Sequence, residues 1–207
     1  MFVAQLFWVI GIHGNQMIKP IREPLLLGAI TVNMSAFEQG KEVPNIITMP
    51  FWDVYMSIGG SGLTIGLLIA VMIATRRKEM KEIAKLSIGP GLFNINEPVI
   101  FGTPIVMNPV FFIPFLLAPM VNAVLAWAAM KLDLIGRVIS VVPWTAPAPV
   151  GAAWALGWDY RAAILVVLLA LVSAVIYFPF FKVYEKQLLA QEKEEAQRIE
   201  EENQQVA

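Results

Sequence analysis

The stretch Gly89-Pro90-Gly91-Leu92-Phe93-Asn94-Ile95-Asn96-Glu97-Pro98-Val99-Ile100-Phe101-Gly102-Thr103-Pro104 sets a polar turn against a long apolar run. Asparagine, glycine and proline are the residues of turns that expose backbone polar groups. Glu97 is the single acid here, and no charge follows it from Pro98 to Met130. A carboxylate at membrane depth is costly unless it is paired, hydrogen-bonded or protonated. Two compatible readings follow. Glu97 can cap a helix that opens at Pro98, since acids and proline are both favoured at a helix start. It can also serve a hydroxyl-rich ligand, because a carboxylate accepts hydroxyl hydrogen bonds while the amides of Asn94 and Asn96 donate and accept.

Working outward, the composition places this turn in a membrane protein. The chain is 57% hydrophobic and 15% charged, where a soluble domain carries about 25% charged residues. Its charges gather in islands: Lys19–Glu42, Arg76–Lys85, Lys131–Arg137 and the tail after Lys182. Neutral stretches lie between them at Val54–Thr75, Pro98–Met130, Val138–Trp158 and Ala162–Phe181. A membrane-spanning helix needs about 20 mainly apolar residues, so each is a candidate. Val54–Thr75 is expected to cross as one helix ending on Arg76-Arg77-Lys78, a basic stop expected on the cytoplasmic side. Ala162–Phe181 is the second clean span. Prolines at 98, 104, 109, 114 and 119 divide the longest stretch. Ser87–Asn108 is expected to enter the membrane and return as a re-entrant hairpin, and Val110–Met130 to cross. Val138–Trp158, interrupted by Pro143, Pro147 and Pro149, is expected to be irregular. Residues 1–182 then form one membrane unit, and 183–207 a charged helical tail in the cytoplasm. Phe2–Ile12 is apolar but shorter than a span and lacks the basic lead of a secretory signal. Either this piece is interfacial or the chain begins in the middle of something larger, and the latter fits transporter folds built from paired halves.

Several function classes fall away. A net charge of −1 offers no basic face for nucleic acid. With no cysteine and one histidine, neither a thiolate, a disulfide nor a clustered metal site is expected, and no cofactor is. Three further stretches carry polar or aromatic groups. His13, between Gly11 and Gly14 with Asn15 close by, ends an apolar run as a structural group or a ligand contact. Trp144, in Pro143-Trp144-Thr145-Ala146-Pro147, either stacks on a sugar ring or joins an interfacial aromatic belt. Arg22 and Glu23, beside Pro20 and Pro24, have no assigned role.

The run Phe93-Asn94-Ile95-Asn96-Glu97-Pro98-Val99-Ile100-Phe101-Gly102 resembles the signature of enzyme IIC of the phosphotransferase system, in its lactose/cellobiose/chitobiose group. Trp8–Asn15 resembles that group's histidine segment, and Pro143–Pro147 its later loop. The resemblance implies an all-α integral membrane protein with transmembrane helices and re-entrant hairpins, the C-terminal half of the enzyme IIC fold. It implies a permease subunit in the bacterial plasma membrane that takes up a β-linked disaccharide for phosphorylation. Glu97 would bind the hydroxyl that receives the phosphoryl group and His13 would orient the same sugar, with Asn94, Asn96 and Trp144 on the cavity wall. A phosphocysteine on enzyme IIB, itself served by enzyme IIA, would be the donor, and membrane lipid the surroundings. A homodimer is expected only if the scaffold half is supplied. From the residues alone, an ion-coupled transporter using Glu97 and a membrane anchor acting through the Glu-rich tail are the rivals. An intramembrane hydrolase is disfavoured, since no paired carboxylates or activated nucleophile are found.

Overall fold

The computed structural model of the chain describes residues 1–206, and every regular element among them is helical. In order these are α1 (Phe2–Val9), α2 (Gly14–Glu38), α3 (Met49–Tyr55), a 3-10 turn (Ser61–Leu63), α4 (Thr64–Ala74), α5 (Lys78–Leu92), α6 (Glu97–Gly102), α7 (Pro109–Lys131), α8 (Ala148–Ala155) and α9 (Tyr160–Val206).

Two of them, α7 and α9, are long and apolar enough to cross a membrane. The 23 residues of α7 reach about 34 Å at 1.5 Å per residue, enough for a hydrocarbon core of about 30 Å. Helix α7 and the first part of α9 contain the expected spans Val110–Met130 and Ala162–Phe181. Helix α7 starts where Asn108 Oδ1 accepts from the Val110 N–H at 3.0 Å, with Pro109 in the first turn. It then runs unbroken through the buried Pro114 and Pro119. Polar groups join α7 to α9 deep inside. Asn122, fully buried, donates to Leu169 O at 3.2 Å and to Ser173 Oγ at 3.2 Å. Such bonds hold helices together where lipid tails supply no hydrophobic drive.

The expected span Val54–Thr75 does not form. Helix α3 ends at Tyr55, and the chain turns through Gly59, Gly60 and Gly62 at φ values of 72°, 94° and 76°. A right-handed helix needs negative φ, so these residues break it. Helix α4 has only 11 residues, about 16 Å of rise. The turn is locked from two sides: Tyr177 Oη on α9 donates to Gly62 O at 2.6 Å, and Thr64 Oγ1 to Gly59 O at 2.6 Å. A side chain at Gly62 would place its Cβ 2.2 Å from the Phe115 ring, so only glycine admits this approach of α7.

The Ser87–Asn108 segment is a helix–turn–helix, as expected of a hairpin, although its first helix begins earlier, at Lys78. Helices α4 and α5 are joined at a basic end, Arg76-Arg77-Lys78, and their far ends meet where the Gly59 N–H donates to Asn94 Oδ1 at 3.0 Å. Helix α9 clasps the joint. Lys182 Nζ donates to Ala74 O at 3.1 Å, Glu185 accepts from the Arg76 N–H at 3.2 Å, and Arg77 pairs with Glu192. Span and tail are thus one continuous helix across the expected boundary at Lys182, with Ala207 outside the described residues. Within the irregular Val138–Trp158 segment only α8 is regular, and Ala155 O receives both the Ile139 and Ser140 N–H. Most of the charge island Lys19–Glu42 is carried by α2, which continues through Pro20 and Pro24 and ends at Glu38, before Lys41 and Glu42.

Candidate functional site

The hairpin tip is built by the way α5 stops. Ile95 N–H bonds to Pro90 O at 3.1 Å and Asn94 N–H to Gly91 O at 3.1 Å, while Asn94 takes a φ of 62°. This is the Schellman termination, in which the residue after the C-cap turns left-handed. Asparagine tolerates that conformation far better than most residues. The tip then restarts as α6, with Glu97 in its first turn and Pro98 next.

The glycine turn supports the tip by close approach. Gly60 has a φ of 94°, and a Cβ there would sit 2.5 Å from Asn96 Cγ and 2.9 Å from Asn94 O. Asn96, 5% exposed, donates to Ser61 O at 2.8 Å. Across from the tip, α2 contributes its first turns: Asn15 Nδ2 donates to Ser61 Oγ at 3.0 Å. His13 is the N-cap residue of α2, with its ring 4.4 Å from that of the buried Trp8.

These elements enclose a cavity of about 460 Å³. All five residues singled out in the sequence line it: His13, Asn94, Asn96, Glu97 and Trp144. They are not equivalent. The Glu97 carboxylate is exposed and makes no hydrogen bond or ion pair among the described residues. The His13 ring is exposed beyond its contact with Trp8, and Trp144 is 55% exposed. Asn94 and Asn96 are nearly buried, with amides bonded to the protein. Glu97 stands in the first turn of α6 while lining the cavity, and its carboxylate makes no capping hydrogen bond among the described residues.

The structure adds a charged end to this cavity. Lys19, Arg22 and Glu23 of α2 line it together with Asp53 of α3. Lys19 and Glu23 pair at 3.6 Å. The Arg22 guanidinium lies 4.8 Å from the Trp52 ring centroid, and its buried Nε has no partner among the described residues. Sequence reasoning passes over Asp53, although it abuts the neutral run at Val54, the same isolation of an acid that marks Glu97. Ser57 and Ser61, also on the wall, carry no signal beyond their glycine-rich setting. A lining so rich in carboxylate, amide, hydroxyl and cationic groups, with one exposed indole, suits a neutral polyhydroxylated ligand. No group of metal-ligating side chains occurs among the described residues.

Comparison with known proteins agrees with this picture. The family model described as "Phosphotransferase system, EIIC" matches residues 1–119. The lichenan permease IIC component of Bacillus subtilis (strain 168) is 39% identical over 191 residues, covering 92% of this chain and 42% of that protein. The lactose-specific EIICB component of Lacticaseibacillus casei is 34% identical over 194 residues, covering 94% of this chain and 34% of that protein. The chain thus spans less than half the length of these relatives. Among solved structures, the crystal structure of the transporter ChbC, the IIC component from the N,N'-diacetylchitobiose-specific phosphotransferase system, superposes with a TM-score of 0.88 at 37% identity. That match covers 93% of this chain and 45% of that one. The all-helical membrane fold expected from the sequence is therefore the one found. From family model, sequence and architecture alike, the chain belongs to the EIIC family of the phosphotransferase system.

Proposed function

We propose that this chain forms the sugar-holding part of a phosphotransferase-system permease, which translocates a β-linked disaccharide of the cellobiose, chitobiose or lactose type and presents it for phosphorylation. One observation carries the reading: the residues singled out from the sequence converge on a single cavity of about 460 Å³, within the size range of small-molecule sites. Its depth agrees. The glycine turn lies about 16 Å of helix from the basic end of α4, roughly half the thickness of a hydrocarbon core. Transporters commonly hold substrate near that midplane.

The chemistry assigned to each group follows from its environment. Glu97, with no partner among the described residues, accepts a hydrogen bond from the acceptor hydroxyl and takes up its proton as the oxygen attacks phosphorus. The new O–P bond replaces the S–P bond of the phosphocysteine on enzyme IIB, whose thiolate leaves. His13, steadied by Trp8, orients the same ring, and Trp144 supplies an apolar face for it. Enzyme IIA recharges IIB. The lactose-specific EIICB relative joins, by its name, a IIC to a IIB component, which supports a IIB partner. In this reading the chain is a multi-pass protein of the bacterial plasma membrane with the α9 extension cytoplasmic. The grouping of Arg76, Arg77, Lys78 and Lys182 at one end supports that side by the positive-inside tendency.

Incubating the purified chain with each disaccharide and a phosphorylated IIB component, and following sugar phosphate by mass spectrometry, tests the reading. Sugar phosphate formed only with both components supports it. Binding of a sugar whose uptake into vesicles follows an ion gradient, with the sugar recovered unmodified, contradicts it.

A further inference from the structure

Asn94 lines the sugar cavity, yet its amide is already engaged. Its two Nδ2 protons go to Trp144 O at 2.7 Å and Ala146 O at 3.1 Å. Its Oδ1 accepts from the Gly59 N–H at 3.0 Å. The residue is 8% exposed and sits at the left-handed position that ends α5. Behind it lies a second cavity of about 170 Å³, lined by apolar groups such as Ile58, Leu92, Pro149 and Val167. A broken bond would find no replacement partner on that side. The three partners belong to segments 35, 50 and 52 residues away in sequence. One side chain therefore ties the tip that carries Glu97 to the glycine turn and to the loop that carries Trp144.

We propose that Asn94 is a positioning residue, which fixes Glu97 and Trp144 relative to one another across the cavity and acts on the sugar through them. This rests on the sugar-binding reading of the site. A donor amide with both protons spent on backbone carbonyls has none to give a hydroxyl. Two carbonyls left without it would be unsatisfied, which costs more than a lost contact.

Two substitutions separate the parts of this role. Asn94→Gly keeps the left-handed backbone and removes all three bonds. Asn94→Asp keeps the backbone and the acceptor for Gly59, but sets a carboxylate oxygen against two carbonyls. Sugar binding by the detergent-purified chain is measured for both, alone and combined with Glu97→Gln. Asn94→Gly is expected to weaken binding by about tenfold or more, the effect of losing one to two hydrogen bonds' worth of preorganisation. In the Glu97→Gln background the same change should cost much less, because coupled residues are not additive. Asn94→Asp should regain affinity on acidification, relative to wild type and Asn94→Gly at each pH, as its protonated acid again donates to Trp144 O. Full additivity with Glu97→Gln, together with no pH recovery, would overturn the proposal. Should the variants fail to fold, hydrogen exchange on the wild-type chain decides. The Gly59 amide should exchange slowly without sugar and equally slowly at saturation. Faster exchange with sugar bound would mean that Asn94 leaves Gly59 for the ligand, and would overturn it. A wild-type chain that binds no disaccharide removes the underlying reading, whereas additivity in a chain that binds removes only this inference.

Discussion

Replacing Gly60 by alanine puts a methyl group where the structure has no room. The new Cβ would lie 2.5 Å from Asn96 Cγ, 2.7 Å from Asn96 Cβ and 2.9 Å from Asn94 O, on a backbone with φ of 94°. Two costs add. A non-glycine residue in this region of φ is strained by about 1–3 kcal/mol, and overpacking a tight contact costs about 1–3 kcal/mol more. The obstructing atoms belong to a buried asparagine bonded to Ser61 O and to backbone, neither of which moves freely. The sum is about 2–6 kcal/mol. For a chain of this size about 2–4 °C of Tm accompanies each kcal/mol, so Gly60→Ala should lower Tm by roughly 5–20 °C. The assay is thermal unfolding of the detergent-purified protein, followed by tryptophan fluorescence. Gly28→Ala is the matched control: it lies inside α2, and a Cβ there meets nothing within 4 Å. Alanine should be neutral there or gain about 0.5–1 kcal/mol from helix propensity. A Gly60→Ala protein as stable as Gly28→Ala would refute the close packing of turn and tip.

Two further perturbations test the frame that carries the site. Asn122→Ala removes the bonds to Leu169 and Ser173 between α7 and α9 and should cost about 0.6–1.7 kcal/mol each by the measured range for membrane helices, read as a lower Tm. Glu185→Gln weakens the clasp of α9 on the α4–α5 joint, where Glu185 holds the Arg76 N–H and pairs with Lys182 at 3.5 Å. The expected result is faster amide exchange confined to residues 75–78, and uniform exchange across α4 and α5 would contradict the clasp.

Local chemistry makes the hairpin tip legible in the sequence. Asparagine, glycine and proline around one isolated acid cannot continue a helix, and Pro109 with Asn108 marks the start of α7 in the same way. The break after Tyr55 is less visible. Glycines also pack helices closely, and Gly59-Gly60-Ser61-Gly62 reads equally as a packing stripe and as a turn. Only the contact with Asn94, Asn96 and Phe115 decides between them. The charged end of the cavity is hidden for a related reason. Arg22 and Asp53 belong to different helices, and nothing local to either shows that they line one space. Asn94 shows the limit most clearly: its residue type announces a turn, while its role depends on carbonyls 50 and 52 residues downstream. Glu97, His13 and Trp144 stand out through local oddity together with family resemblance, and the cavity brings them together.

The most direct test of the central claim is a titration of the purified chain with cellobiose, diacetylchitobiose and lactose, beside Glu97→Gln. A carboxylate that accepts the acceptor hydroxyl makes a charge-assisted hydrogen bond worth about 1.5–3 kcal/mol. Its loss should raise Kd for the preferred sugar by about 10- to 100-fold, with Tm unchanged because Glu97 has no partner among the described residues to lose. Equal affinity in the two proteins, or a Glu97→Gln chain that loses stability instead of affinity, would contradict the claim that Glu97 faces a sugar.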